Sequence, residues 1–224
     1  DRVFNPEDED PIPVWVLVLG ALAFAAAAAV GLRLAVEGGR PVVLYTLLGG
    51  LAAVFYVGPP IRWVYRGLGE TMIGLSYGPW MVLGSLQLQS RAFSWAALLA
   101  SLLPGLLITA LAVVNAIPDF HQDRLVGKRN LVVRLGRLGG VRLYLALALA
   151  GLLVPVAGVA LGVFPATTLA ALAAAPLLFD SGRKAFVSYD TPREFVPAVR
   201  SIVLCYLCAT SLFSAALILS RWIG

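Results

Sequence analysis

Residues 115–136 read Asn-Ala-Ile-Pro-Asp-Phe-His-Gln-Asp-Arg-Leu-Val-Gly-Lys-Arg-Asn-Leu-Val-Val-Arg-Leu-Gly, and the 21 residues before them, 94–114, carry no charge at all. An uncharged apolar run of that length is material for a helix that crosses a bilayer. Two carboxylates and a run of cations therefore stand just where such a helix leaves the membrane, which makes the fold a polytopic, all-α membrane bundle. Asn115, Asp119 and Asp123 step by four residues, so on a continuing helix they share one face, rising about 6 Å per step. An Asp-x-x-x-Asp pair on one face is a geometry for holding a divalent cation between oxygen ligands, and magnesium commonly brings a diphosphate with it. Lys128, Arg129 and Arg134 follow within reach of a polyanion. Carboxylates at a membrane mouth are costly and are functional candidates by default.

Composition agrees with that frame. The chain has 224 residues, 60% hydrophobic and 13% charged, and its mean hydropathy of +0.88 is too high for a soluble domain of this size. Membrane lipid is its surrounding, and no nucleic-acid partner is expected. Spanning-length apolar runs predict helices near 14–36, 41–58, 71–88, 94–114, 139–163, 164–180 and 197–222, seven in all, within one integral-membrane domain over 1–224. Nothing in the pattern speaks to oligomeric state.

Charge orients the bundle. With seven spans, residues 1–13, 59–70, 115–138 and 181–196 share one side, and thirteen of the seventeen Lys and Arg residues lie there or at the adjoining helix ends. Only Arg33, Arg40, Arg91 and Arg221 lie opposite. That positive-inside bias predicts motif-bearing loops that face the cytoplasm, and the chain is expected to be an integral protein of a prokaryotic plasma membrane. Eleven of the twelve acids, all but Glu37, fall on the same side, which orientation alone does not explain.

Other residues read as structural. His121, the single His, points away from the two aspartates on a continuing helix. Cys205 and Cys208 form a C-x-x-C inside an apolar helix with no further ligand nearby, so they are small packing residues. Lys184, in the 180–194 loop, reads as an anchor. The polar opening, Asp-Arg-Val-Phe-Asn-Pro-Glu-Asp-Glu-Asp-Pro, resembles the middle of a protein, and the chain is expected to be a fragment.

Asn-x-x-x-Asp-x-x-x-Asp-Arg-x-x-Gly-Lys-Arg, with Arg134-Leu135-Gly136 after it, resembles the second aspartate-rich motif of the UbiA superfamily of intramembrane prenyltransferases. It is most similar to the branch that prenylates 1,4-dihydroxy-2-naphthoate for menaquinone. Residues 58–70, Gly-Pro-Pro-Ile-Arg-Trp-Val-Tyr-Arg-Gly-Leu-Gly-Glu, resemble that family's loop between its fourth and fifth helices. The resemblance covers nearly the whole chain as the last seven of nine helices. It implies that the first motif is missing, with Asp1-Arg2 as its possible end, and that the chain by itself is inactive.

The resemblance implies a magnesium-dependent transfer of a polyprenyl group from an allylic polyprenyl diphosphate to an aromatic acceptor. Metal and cations neutralise the leaving diphosphate. Asp119 and Asp123 are the expected magnesium ligands and catalytic residues, and Asn115 orients them or the phosphate. Arg62, Arg66, Lys128 and Arg129 are diphosphate contacts. Tyr65, and less so Tyr77, would stabilise the allylic cation through the ring face. Glu70 would bind the acceptor hydroxyl or take its proton. Ile117-Pro118-Asp119 is also similar to homogentisate-prenylating enzymes, leaving that acceptor as an alternative. A CDP-alcohol phosphotransferase would need an Asp-Gly pair that this sequence lacks. A secondary transporter, the non-enzyme alternative, would place charge near the bilayer midplane, and these spans have almost none.

Overall fold

The computed structural model describes residues 13–223, with side chains as far as Ser220, so the Asp1-Arg2 expectation lies outside the described residues. In chain order the helices are α1 (Val14–Gly38), α2 (Arg40–Val54), α3 (Gly69–Leu75), α4 (Met81–Ser90), α5 (Trp95–Ala116), α6 (Phe120–Leu125), α7 (Leu131–Ala160), α8 (Ala175–Ser188) and α9 (Pro192–Ile223). Among the described residues there is no strand. α1, α5, α7 and α9 are long and apolar enough to cross a membrane. The protein is an all-α membrane bundle.

The seven expected spans correspond to seven rods, with informative differences at their ends. The second stops at Val54, ahead of Gly58-Pro59-Pro60. The third joins α3 to α4 through a π-helical turn, Ser76–Trp80, that holds Pro79; a widened turn is a common way to accept a proline inside a helix. The fifth begins at Leu131 rather than 139, but Gly136 (φ 75°, ψ 164°) breaks it, so the straight span starts after that glycine. The sixth opens as a 3-10 segment, Ala166–Ala174, and continues as α8 to Ser188.

That last boundary corrects the 181–196 loop, which shrinks to a turn around 189–191. Asp180, Arg183 and Lys184 look like loop residues in one dimension. In the fold they belong to α8, because Lys184 and Ser201 of α9 both donate to Asp180 Oδ2, and the Lys184 pair is an i,i+4 contact. Ser181 Oγ donates to the Ala198 carbonyl (2.9 Å) and lies 3.1 Å from the Tyr144 hydroxyl, joining α7, α8 and α9 through buried groups.

The core lies where α5, α7 and α9 meet. Leu103, Leu107 and Val113 of α5 pack with Val141, Tyr144 and Ala148 of α7 and with Phe195, Ile202 and Cys205 of α9. Both cysteines are free thiols, Cys205 fully within this core. α1 contrasts sharply, burying only Ala35 and Gly38, so Leu17, Leu19, Leu22, Phe24 and Leu32 face outward.

Close approach of the α3–α4 rod to α5 depends on small residues. A Cβ at Gly78 would lie 2.7 Å from Gly105 Cα and 2.8 Å from the Ser101 carbonyl oxygen, both backbone atoms that cannot rotate aside. Gly74 and Gly78 form a small-x-x-x-small pair on the same rod, the pattern that lets membrane helices touch backbone to backbone. Gly78→Ala is therefore expected to destabilise by about 1–3 kcal/mol, read as a lowered melting temperature in detergent. An unchanged melt would mean that the rods separate freely there.

Candidate active site

Three inter-helix segments meet at one end of the bundle, and their hydrogen bonds define the site. The first is 55–70. Arg62 (φ 54°) and Gly67 (φ 72°) both take left-handed backbone here, folding the segment tightly around the 3-10 turn Trp63–Arg66. A side chain at Gly67 would sit 2.8 Å from the Arg129 carbonyl and 2.6 Å from Arg134 Nε, so only glycine fits beneath that arginine. Arg134 donates to the Arg129 carbonyl (2.8 Å) and to the Arg66 carbonyl (2.7 Å), pinning the second segment onto the first. It is a brace, not a free cation. The third segment joins through Arg137, which donates to the Asp190 carbonyl (3.1 Å) and stacks over the Phe120 ring (5.6 Å).

At the centre lies Asp123, almost fully buried. One carboxylate oxygen accepts from Lys128 Nζ (2.6 Å), the other from Asn130 Nδ2 (2.7 Å). Asn130 also caps α7, its Oδ1 accepting from the Val133 N–H (2.8 Å). The hydrogen bond to Asp123 holds the Lys128 ammonium above its ordinary pKa, so this lysine stays charged.

Glu70 is the second buried carboxylate. Its Oε1 accepts from the Leu131 N–H (3.0 Å), the first helical residue of α7, where a carboxylate complements the helix dipole. Its Oε2 is buried and has no hydrogen-bond partner among the described residues. An unpartnered buried carboxylate oxygen is expensive, and is the mark of a group awaiting a donor. Tyr56 stands nearby: burial, and then the negative charge of Glu70, push its hydroxyl pKa upward. Tyr56 also lines an open cavity of about 360 Å³ between α2 and α3, together with Met72, Ile73, Ser76 and Tyr77.

The remaining expected residues fall as follows. Asp119 is exposed at the N-terminus of α6, and its carbonyl accepts from the Asp123 N–H (2.8 Å), so the two aspartates keep their four-residue helical step. The helix is not continuous from Asn115, however. α5 ends at Ala116 and residues 117–119 form a turn at Pro118, which leaves Asn115 exposed on the last turn of α5. Asp119 lies close enough to Lys128 for its charge to help hold that lysine protonated. Arg62 and Arg66 are exposed; Arg62 sits 5.5 Å over the Tyr65 ring, and Arg66 donates to the Pro60 carbonyl (3.3 Å). One face of Tyr65 is thus already covered by a cation of the chain. Arg129 and Tyr77 are exposed, and His121 is exposed against Phe120.

Sequence reasoning missed Asn130 and Tyr56. Asn130 was legible as a helix cap, an Asn immediately before Leu-Val-Val. Tyr56 carried no local signal; only tertiary placement brings it beside Glu70.

Among the described residues no three acidic, His or Cys side chains gather as a metal cluster. Asp119 and Asp123 nonetheless supply the hard oxygen donors magnesium prefers, and magnesium commonly takes one or two carboxylates with the rest of its shell from water and substrate phosphate. Asp119 is the exposed donor for such an ion, and Asp123, whose oxygens accept from Lys128 and Asn130, would join it through its remaining lone pairs.

A family model described as the UbiA prenyltransferase family matches residues 12–198. The chain belongs to this family. Among curated UbiA relatives, the 1,4-dihydroxy-2-naphthoate octaprenyltransferase of Escherichia coli is 32% identical over 187 residues, covering 80% of this chain and 58% of that protein. The enzyme of the same name from Haemophilus influenzae is 30% identical over 175 residues, 77% of this chain and 56% of the relative. A 2-carboxy-1,4-naphthoquinone phytyltransferase of Synechocystis is 30% identical over 142 residues, 62% of this chain and 45% of the relative. The chain thus spans about half the length of the curated relatives it matches. No solved structure matches it.

Proposed function

We propose that this protein transfers a polyprenyl group from an allylic polyprenyl diphosphate to 1,4-dihydroxy-2-naphthoate, on the route to menaquinone. The observation that carries the reading is the meeting of Asp119, Asp123, Lys128 and Glu70 at one end of an apolar helix bundle. The names of the relatives favour a naphthoate acceptor over homogentisate. The loops that bear these residues face the cytoplasm of a prokaryotic cell under the positive-inside rule.

In the reaction the allylic C–O bond breaks, the diphosphate leaves with the electron pair, and a ring carbon attacks the allylic cation. That carbon then loses its former substituent, a proton or, at the carboxylated position, carbon dioxide. Asp119 and Asp123 would hold magnesium, which when bound would neutralise the leaving oxygens. Lys128, close to both acids, adds charge on the phosphate, and Arg62 and Arg66 stand exposed on the adjoining loop as further contacts. Asn115, exposed on the last turn of α5, orients the same group. Glu70 Oε2 accepts the proton of an acceptor hydroxyl, which raises ring electron density where attack occurs. The exposed leucines and alanines along the helices suit an isoprenoid tail as well as lipid.

The test is an assay of membranes carrying this chain together with the upstream segment that the family resemblance implies, given a polyprenyl diphosphate, magnesium and either 1,4-dihydroxy-2-naphthoate or homogentisate. Prenylated naphthoate should accumulate and should vanish with a chelator. Product from homogentisate alone would overturn the acceptor, and no product from either, with intact protein in the membrane, would overturn the reaction.

A further inference from the structure

Away from the site, the outer face between α7 and α8 holds an apolar groove of about 560 Å³. Leu145, Leu149 and Leu152 form one wall, and Leu178, Phe179 and Phe186 the other. Gly182 is its floor: a Cβ there would lie 3.2 Å from Leu145 Cδ2, so the two helices approach closely at that level. The groove has one charged lining residue, Arg183, 73% exposed, whose neighbouring acid Asp180 is 3.8 Å away and already holds Lys184 and Ser201. Arg142 is exposed one turn before Leu145, on the same 142–145–149–152 stripe of α7.

The contact between Gly182 and Leu145 sets the relative level of the two arginines. Arg137 and Asp190 mark the end of the bundle. Arg142 is three residues from Leu145 on α7 and Arg183 is next to Gly182 on α8, so the two stand within about one helical turn of each other in level, inward of that end. Guanidinium groups below the end of a lipid-facing bundle are costly unless an anion meets them. A phosphate accepts from the guanidinium fork in parallel hydrogen bonds, and an apolar chain attached to it would cover the leucines.

We propose that the groove binds one anionic glycerophospholipid, its phosphate between Arg142 and Arg183 and an acyl chain along the α7 leucine stripe. A zwitterionic lipid presents the same chains but brings its own cation, so it gains less from the two arginines. This site is independent of the transfer reaction.

Native mass spectrometry of the purified protein, titrated with phosphatidylglycerol and with phosphatidylcholine of identical chains, tests it. Phosphatidylglycerol should be retained on the order of tenfold more strongly, since each interfacial cation adds to the attraction for an anionic headgroup. Arg142→Gln with Arg183→Gln should remove that preference. Leu149→Trp, which fills the groove, should lower retention of both lipids, while Arg33→Gln with Arg91→Gln at the other end of the bundle should change nothing. Equal retention of the two lipids, or a preference that survives the paired α7–α8 substitution, would overturn the proposal.

Discussion

Asp119→Asn is expected to lower prenyl transfer a few hundredfold or more while leaving the protein inserted and equally heat-stable. The side chain is exposed and makes no capping hydrogen bond, so the fold loses nothing when its charge is removed. On the proposed reading the reaction loses a carboxylate that would hold the neutralising metal, and removing one group of that kind typically costs about 3–4 kcal/mol of transition-state stabilisation, or 10²–10³ in rate. Initial rates at saturating magnesium, beside a melting curve, separate the two effects. Near-normal turnover would show that Asp119 is no metal ligand.

Asp123→Asn makes the informative contrast. Both of its oxygens accept hydrogen bonds, from Lys128 and Asn130, and an amide nitrogen in place of one oxygen would face a donor instead. The variant should therefore lose activity and stability together, the latter by about 1–3 kcal/mol. The two aspartates look equivalent in the sequence, and burial with its hydrogen bonds separates them: one is solvent-facing, the other is buried on α6 beneath the segment that leads into α7.

That difference marks what one dimension conceals. The spans were legible because lipid demands long apolar runs, and the segments that meet at one end were legible because charge follows them. The 115–136 stretch gave both the acids and the cations. Lost was the division of labour among those cations. Arg134 is the same residue type as Arg129 and only five positions on, yet among the described residues it is Arg134 that reaches two backbone carbonyls across a glycine that leaves it room. Charge patterning likewise placed Asp180, Arg183 and Lys184 in a loop, because the partner that lets them stay helical, Ser201, is supplied by another helix. Polar residues near a membrane are read from sequence as solvated. Inside a bundle they are read correctly only once their partners are known.

Glu70→Gln carries the second large effect. Glutamine keeps the size of the side chain and a carbonyl oxygen for the Leu131 N–H, so α7 should begin as before and the melting temperature should hold. What disappears is the ability to take a proton at the buried, unpartnered oxygen. Loss of a positioned base usually costs 10²–10⁴ in rate, and about a hundredfold fall in turnover is expected, with KM for the polyprenyl diphosphate unchanged because that substrate meets other residues. Glu70→Ala separates the two roles of the side chain. It leaves the half-buried Leu131 N–H without its acceptor, so it should match the glutamine variant in rate and also destabilise by about 1 kcal/mol. If Glu70→Gln turned over like the parent protein while Glu70→Ala unfolded at lower temperature, Glu70 would be a helix cap and nothing more.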